Sequence, residues 1–313
     1  MKKVLMFLNP ASRQGAKHID EIVAWLNTNQ FELLNPGYDP ANEDMLEVIE
    51  KCKTEADAVL IGGGDGSVNH ALPALISTKL PLLLIPLGTA NNLARTLAIP
   101  TTVPDALMLL TSAHTKLVDV GMVSQISRKG EALASIPFVN VIGIGMSAKV
   151  NRFVPSEQKR WLGVFAFALT AIRVASRMSP FRVEIETDGR KHRGRSWQVT
   201  VCNGRNYGNG LVIDHAATLT DQTLHGITTE IGKWWHGFGL IPALRAGRFE
   251  STRQVKSFSG NVIKISTRRS KHVDIDGDLK ARTPIEISVY VSALKIFVPE
   301  TNEPRTTSEN HEA

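Results

Sequence analysis

Gly62-Gly63-Gly64-Asp65-Gly66-Ser67-Val68-Asn69 stands directly after the apolar run Ala58 to Ile61 and before Ala71, Leu72, Leu75 and Ile76, which recur at helical spacing. A strand, a glycine-rich turn and a helix in that order put the turn at the carboxyl edge of a parallel sheet, where open α/β sheets bind their ligands. Glycines let backbone N–H groups come close to an anion, and the following helix adds its positive end, so phosphate is the natural ligand. The loop is not a Walker A element, because no GxxxxGK[ST] occurs. The dinucleotide fingerprint GxGxxG fails as well, since Ser67 and Asn69 stand where its last glycine belongs. A carboxylate inside such a loop repels a bare phosphate, so Asp65 implies a metal ion or a proton-accepting role. The structural alternative is a tight turn with Asp65 or Ser67 as the helix cap.

A second loop of the same build, Pro86-Leu87-Gly88-Thr89-Ala90-Asn91-Asn92-Leu93-Ala94-Arg95, follows the apolar run Leu82 to Ile85. Gly88 permits close approach, Thr89 offers a hydroxyl, and Asn91 offers amide donors and acceptors. Its alternative is a Thr or Asn cap ahead of core residues Leu93 and Leu97. Two such loops on neighbouring strands face one crevice, which favours the ligand reading for both.

Around these loops the first 120 residues alternate short apolar runs with helical patterns, the signature of a helix-covered parallel sheet. Strands are expected at Lys3 to Leu8, Phe31 to Leu34, Ala58 to Ile61, Leu82 to Ile85 and Lys116 to Val120. Beyond Gly121 the rhythm becomes β-rich: Phe138 to Ile144, Arg182 to Glu186, Gln198 to Cys202, Val262 to Ser266, Ile285 to Tyr290 and Leu294 to Val298. Their alternation suggests antiparallel pairing, interrupted by one long helix at Ser156 to Met178. The expected domains are 1–121, nucleotide-binding α/β, and 122–298, β-rich and substrate-binding, followed by a frayed tail at 299–313. The final β segment is free to rejoin the first domain.

The composition agrees. A chain of 313 residues, 42% hydrophobic and 21% charged, is long enough for two cores and too apolar for intrinsic disorder. Cys52 and Cys202 alone cannot build a disulfide framework or a four-thiolate zinc site, which fits a reducing cytoplasm. Val4 to Leu8 is too short for a signal peptide, and Trp161 to Ile172, 12 residues, is too short to span a bilayer.

GGGDGSVN together with PLGTANNLAR resembles the diacylglycerol kinase catalytic-domain family, particularly its bacterial lipid kinases. The resemblance extends over nearly the whole chain, through Asn9-Pro10, Asp119-Val120-Gly121, Asn140 to Ala148, Asn203-Gly204 with Gly208 to Gly210, and Asp274-Ile275-Asp276-Gly277-Asp278. It implies an NAD-kinase-like α/β domain followed by a β-rich, sandwich-like domain, with the active site in the cleft between them. It implies ATP and Mg2+ as the reacting nucleotide and its metal. Asn9, Gly64, Asp65, Gly66, Ser67, Asn69 and Thr89 match nucleotide-binding positions, and Gly63, Val68, Gly88 and Asn91 complete the same two loops. Asp278 falls where the family has a Glu proposed as general base, Asp276 matches that base's acidic partner, and Asp65 lies near the phosphates. The structural alternative for this last segment is an Asp-Gly hairpin turn, which is compatible with displaying a catalytic group. A structural magnesium site is implied at Asp221, with carbonyls from Thr218 and Thr223.

This chain departs from the family pattern at several of these positions. Ser67, His70 and Asn92 stand where Thr, Glu and Asp are usual, Gln222 replaces a Gly, and Asp278 is one methylene shorter than Glu. A further nucleotide-contacting Thr has Asn35 as its nearest counterpart. No rival chemistry competes: neither cysteine sits in a protease signature, Ser67 lacks a GxSxG elbow, and the nine histidines show no HExxH. Phosphoryl transfer needs positioning and charge neutralisation more than covalent help, and two glycine loops with a cation supply both.

The net charge of +6 is uneven, because residues 149–195 hold 11 Lys and Arg against 4 Asp and Glu, a local +7. Basic residues flanking Trp161 to Ile172, and Lys233 to Phe238 with Arg245 and Arg248 beyond, suit helices lying on an anionic membrane. The alternative is that both helices pack on the β domain. Nucleic acid is disfavoured, because the clusters Arg190 to Arg195 and Arg268 to His272 lack interleaved aromatics. The expectation is a cytoplasmic lipid kinase that meets membranes peripherally and acts on diacylglycerol or a related lipid, with a homodimer left open. A sphingoid, ceramide-type or other amphipathic-alcohol kinase is the alternative within the class, and a non-catalytic nucleotide-binding regulator the alternative outside it.

Overall fold

The computed structural model describes residues 1–8, 15–127, 129–153, 179–207, 211–214, 216–230 and 254–300. The expected helices at Ser156 to Met178 and Lys233 to Phe238 lie outside the described residues, as do Asn9, Gly208 to Gly210 and nearly all of the tail.

The first half runs β1 (Lys2–Leu8), α1 (Gly15–Thr28), β2 (Phe31–Leu33), α2 (Met45–Lys51), β3 (Ala58–Gly63), α3 (Asp65–Thr78), β4 (Leu82–Pro86), α4 (Asn92–Thr96) and α5 (Val103–Ser112). β1 pairs in parallel with β2 and β3, and β3 with β4. Every residue of β3 and β4 is buried, which is why both read as unbroken apolar runs: helices cover both faces. α5 has no counterpart among the expected elements; Thr102 caps it and Val103, Ala106, Leu107 and Leu110 make its buried face.

The second half contains β5 (Thr115–Ile126), β6 (Ala132–Phe138), β7 (Val141–Gly145), α6 (Met146–Phe153), β8 (Phe181–Thr187), β9 (Arg190–Ser196), β10 (Gln198–Cys202), β11 (Asn206–Tyr207), β12 (Leu211–Val212) and β13 (Leu224–Thr229). β14 (Val255–Gly260), β15 (Val262–Thr267), β16 (His272–Ile275), β17 (Asp278–Arg282) and β18 (Ile285–Phe297) complete it. Among the described residues, β7, β10, β13, β14, β16 and β17 form one antiparallel sheet. It packs on β5, β6, β8, β15 and β18 through a core that includes Phe138, Ile144, Val201, Ile265, Val273 and Ile287. The chain therefore has an N-terminal α/β region and a β-rich, sandwich-like C-terminal region.

The larger sheet is continuous between the two halves. β18 runs parallel to β4 through Ile296 and Leu82, and antiparallel to β5 along most of its length. Gly121, where the sequence changes character, lies inside β5. Buried Asp119 fastens this junction: its Oδ1 accepts the Ser292 N–H of the β18 bulge at 2.7 Å and its Oδ2 accepts the Gln222 N–H at 2.9 Å.

One expected strand is corrected. Phe138 to Ile144 reads as a single run, yet the chain breaks at Val139-Asn140 between β6 and β7. The N–H groups at the break turn to a side-chain carboxylate, that of Asp276.

Candidate active site

The two glycine loops touch backbone to backbone. A Cβ on Gly88 would stand 2.5 Å from Gly64 Cα, and one on Gly64 3.1 Å from Gly88 Cα, so only glycines allow this approach. The Leu87 N–H donates to Gly63 O at 3.0 Å, which continues the β3–β4 ladder into the turn. Asp65 does not cap its own helix. Its Oδ2 accepts the Asn92 N–H at 2.9 Å and its Oδ1 the Leu93 N–H at 3.0 Å, so it caps α4 across the gap. The first intrahelical bonds of α3 come from Ser67 and Val68 to Gly64 O, leaving the N–H groups of Asp65 and Gly66 ahead of the ladder. Nothing stands within 4 Å of a Cβ built on Gly66, so the exposed start of α3 has room for a ligand.

The opposite wall comes from the second half. β16 and β17 join through Asp276 (φ 48°) and Gly277 (φ 98°), both left-handed, the pattern of a two-residue hairpin turn. The Asp276 carboxylate points inward and accepts the N–H groups of Val139 at 2.9 Å, Asn140 at 3.2 Å and Val141 at 2.6 Å. Asn69 adds a side-chain hydrogen bond. Burial still wins over these bonds and raises the Asp276 carboxyl from its ordinary 3.8 to about 6. Asn140 links the walls, its Nδ2 donating to Asp65 Oδ1 at 3.2 Å. Asn203 holds this turn from beneath, donating to Asp119 O at 2.7 Å and Val139 O at 3.2 Å.

A cavity of about 640 Å3 opens beside Gly66 and Ser67. Phe7, Tyr38 and Met45 give it apolar surface, Glu43, Asp44 and His70 its polar edge. Tyr38 stands edge-on to Phe7 at 4.8 Å, and burial followed by the charges of Asp44, Glu43 and Asp39 raises its phenol.

The other expected residues take varied places. Val68 is core, so only its backbone could meet a ligand. Thr89 is exposed at the loop tip. Asn91 has φ 48° and uses its amide on its own loop, accepting from Gly88 N at 3.0 Å and donating to Gly88 O at 2.8 Å. Asn35 pairs with the Met6 backbone like an extra strand residue, which makes it a structural group. Asp278 begins β17 with its side chain 67% exposed and Lys280 Nζ at 3.4 Å. Asn140 carries the contact between the halves, yet was not among the expected site residues. Its signal was an Asn inside a β-rich run, where strand formers belong.

The two expected magnesium positions differ in how well their residues fit the ion. Asn69 Oδ1 is buried without a hydrogen-bond partner, and Asp65 Oδ2 takes a single N–H. One carboxylate and one amide oxygen suit Mg2+, which is usually completed by phosphate and water oxygens. The Asp221 carboxylate is filled differently: Oδ2 accepts from Thr218 N at 2.8 Å and faces His225 Nε2 at 3.1 Å, while Oδ1 accepts from Thr223 N at 2.9 Å. His225 Nδ1 faces Asp214 at 3.2 Å. The imidazole stands between the two carboxylates and both Asp221 oxygens already have partners, so the Asp221 side chain does not fit a magnesium ion. Among the described residues no cluster of three or more His, Cys, Asp or Glu could hold a metal. The φ of 59° at Gln222 is the conformation for which a glycine is usual at this position.

Residues 3–123 match the model of the diacylglycerol kinase catalytic domain, and residues 140–298 that of the YegS C-terminal NAD kinase β sandwich-like domain. A diacylglycerol kinase of Mycobacterium tuberculosis is 26% identical over 306 residues, covering 95% of both chains. An uncharacterised Synechocystis protein is 26% identical over 267 residues, 81% of this chain and 58% of that protein's length. A solved Bacillus anthracis structure superposes with TM-score 0.77 at 25% identity, covering 96% of this chain and 95% of its own.

Proposed function

Because the chain belongs to the diacylglycerol kinase catalytic-domain family, we propose that it transfers the γ-phosphoryl group of ATP to a hydroxyl of diacylglycerol or a related lipid. The observation that carries this reading is the hydrogen-bonded line Asp65–Asn140–Asp276, which joins a glycine-loop carboxylate to the Asp-Gly hairpin across one cleft.

In this reading the start of α3 receives the phosphates through the N–H groups of Asp65 and Gly66, aided by the positive end of a 14-residue helix. The nucleoside lies in the adjoining cavity, where Tyr38 and Met45 offer apolar surface and the carboxylates of Glu43 and Asp44 accept hydrogen bonds while repelling phosphate. Asp65 and Asn69 Oδ1 are the groups that would hold Mg2+, which when bound neutralises charge on the phosphoryl oxygens. Asp276 is filled by donors and fixes the hairpin. Asp278 then takes the proton of the lipid hydroxyl, a role worth about 10²- to 10⁴-fold. The lipid hydroxyl is presented from a membrane surface that the protein meets peripherally from the cytoplasm. No helix among the described residues is long and apolar enough to cross a membrane.

The test is transfer of label from ATP to a panel of extracted lipids by wild type, Asp65→Asn and Asp278→Asn. Equal activity in all three removes these assignments, and the lipid that becomes labelled decides between a glycerolipid and a sphingoid or ceramide acceptor. A second reading, a nucleotide-binding regulator without catalysis, draws on the exposed and shortened Asp278, and nucleotide binding without label transfer to any lipid would favour it.

A further inference from the structure

Well away from the glycine loops, a second cavity of about 400 Å3 is lined by Arg182, Arg195, Arg268, Arg269 and Lys271, with Phe181 on its apolar side. Among the described residues none of these five cations has a carboxylate within ion-pair distance. Their neighbours on the same strand pair differ: Lys191 meets Glu186 at 3.1 Å and Arg193 meets Glu184 at 2.7 Å. Along β9, Lys191 and Arg193 are therefore paired, whereas among the described residues Arg195, which lines the cavity, is not, nor is Arg190 at the far end of the strand.

The loop that supplies three of the cations is fixed. Arg268 to Lys271 carries the chain from β15 in one sheet to β16 in the other. Thr267 Oγ1 donates to Arg269 O at 2.9 Å, Ser270 Oγ to Thr283 O at 2.9 Å, and Lys271 N to Thr283 Oγ1 at 2.9 Å. Thr283 is itself buried. The Arg268 N–H reaches Arg182 O at 3.4 Å, which ties the loop to β8. Lys271 Nζ sits 5.3 Å above the Phe181 ring. Burial, then the charges of Lys149 and Arg269, lower the Lys271 ammonium below the usual lysine range, a tension that a bound anion relieves.

We infer that this cavity is a binding site for a phosphate group, separate from the nucleotide site. Four guanidinium forks converging on one space match the tetrahedral oxygens of a phosphate better than any single carboxylate. The cavity is larger than a bare phosphate and admits the groups esterified to it. It is not the place where phosphoryl transfer happens: Lys271 and Asp276 stand at opposite ends of β16, five residues and about 16 Å apart. The phosphate comes either from an anionic phospholipid headgroup or from a soluble phosphate ester, and the experiment distinguishes them.

Binding is measured without nucleotide, so its outcome is independent of the kinase reading. Wild type, Arg195→Gln/Arg268→Gln and Arg193→Gln/Lys191→Gln are floated with phosphatidylcholine vesicles with and without phosphatidylglycerol, and titrated with glycerol phosphate. Both double variants remove two exposed charges, and unchanged melting temperatures show that they fold. A built site predicts about 30-fold weaker binding for Arg195→Gln/Arg268→Gln, from about fivefold per cation, and less than about threefold for the other pair. That pattern on vesicles alone identifies the headgroup, and the same pattern with glycerol phosphate identifies a soluble ester. Equal losses in both variants, no binding to either ligand, or tighter binding to a DNA oligomer than to vesicles overturns the inference.

Discussion

Exchanging glycines one at a time separates the two jobs that the glycine loops perform. A Cβ on Gly88 would lie 2.5 Å from Gly64 Cα and 2.6 Å from Asn91 Oδ1, against backbone and a stapled side chain rather than a flexible end. Ordinary contact is about 3.5 Å, so Gly88→Ala must part the loops by about 1 Å. Overpacking of this kind costs about 1 to 3 kcal/mol, a fall of about 2 to 12 °C in melting temperature at about 2 to 4 °C per kcal/mol. A displacement of about 1 Å at the phosphate site costs about 100-fold in kcat/KM. Gly66→Ala meets nothing within 4 Å and lies in a helix without positive φ, so it stabilises the fold by about 0.4 to 1 kcal/mol. In the proposed reading its methyl group stands where the phosphates come closest to the backbone, so losing one charge-assisted hydrogen bond of about 1.5 kcal/mol should lower kcat/KM about tenfold. Thermal melts and ATP-dependent lipid phosphorylation on both variants give a signed pair: Gly88→Ala falls in both, Gly66→Ala rises in stability and falls in activity. Full activity in Gly66→Ala refutes the phosphate cradle, and an unchanged melting temperature in Gly88→Ala refutes the close approach.

Asp278→Asn should lose about 10²- to 10⁴-fold in turnover while its melting temperature stays put, because the side chain is 67% exposed; Asp278→Glu should keep activity. Asp276 has a folded value of about 6 against its ordinary 3.8, so the folded chain holds this proton more tightly. Its contribution is fully present below about pH 3.8 and is lost as pH rises through about 6, by up to about 3 kcal/mol. Urea titrations across that window should show the slope in wild type and lack it in Asp276→Asn. Chelation with EDTA should leave the wild-type melting temperature unchanged if His225 rather than a metal holds the Asp221 loop, whereas His225→Ala should cost about 2 kcal/mol, or about 4 °C. A fall on EDTA treatment would refute that account of the loop.

The parallel half was legible because its strands are buried on both faces and its helices carry 3.6-residue stripes, so β1, β3 and β4 stand within two residues of their apolar runs. Long-range partners were not. Phe138 to Ile144 has the composition of one strand, and only a carboxylate more than 130 residues away in sequence turns its N–H groups out of the ladder. The turns at Gly62 to Gly66 and at Gly88 could be read from glycine density alone. That Asp65 caps α4 rather than α3, and that Asn91 staples its own turn, follows from the contact of Gly64 with Gly88, which no local pattern encodes. Asn35, the nearest counterpart of a family threonine, is equally illegible locally: the fold uses both ends of its amide on the Met6 backbone.

Asp65, Asp276 and Asp278 stand in three environments, and their hydrogen bonds bear on the roles proposed for each. Asp276 accepts from three backbone N–H groups and Asn69, so its carboxyl is taken up by the turn that it organises; it is a positioning residue. Asp65 is held by Asn92, Leu93 and Asn140 but keeps room on Oδ2, which suits a cation more than a proton in flight. Asp278 has one lysine beside it and open solvent, so of the three it is the one whose oxygens are left free by the backbone, as the proposed proton acceptor requires. In the proposed reading its shorter reach is offset by where it stands: the Asp276-Gly277 turn locks the start of β17, that turn is locked to Val139, Asn140 and Val141, and Asn140 reaches Asp65, the residue proposed to stand near the phosphates. Replacing Glu by Asp at this point therefore moves the acceptor by about one bond, about 1.5 Å, along a backbone whose position the other two carboxylates already determine.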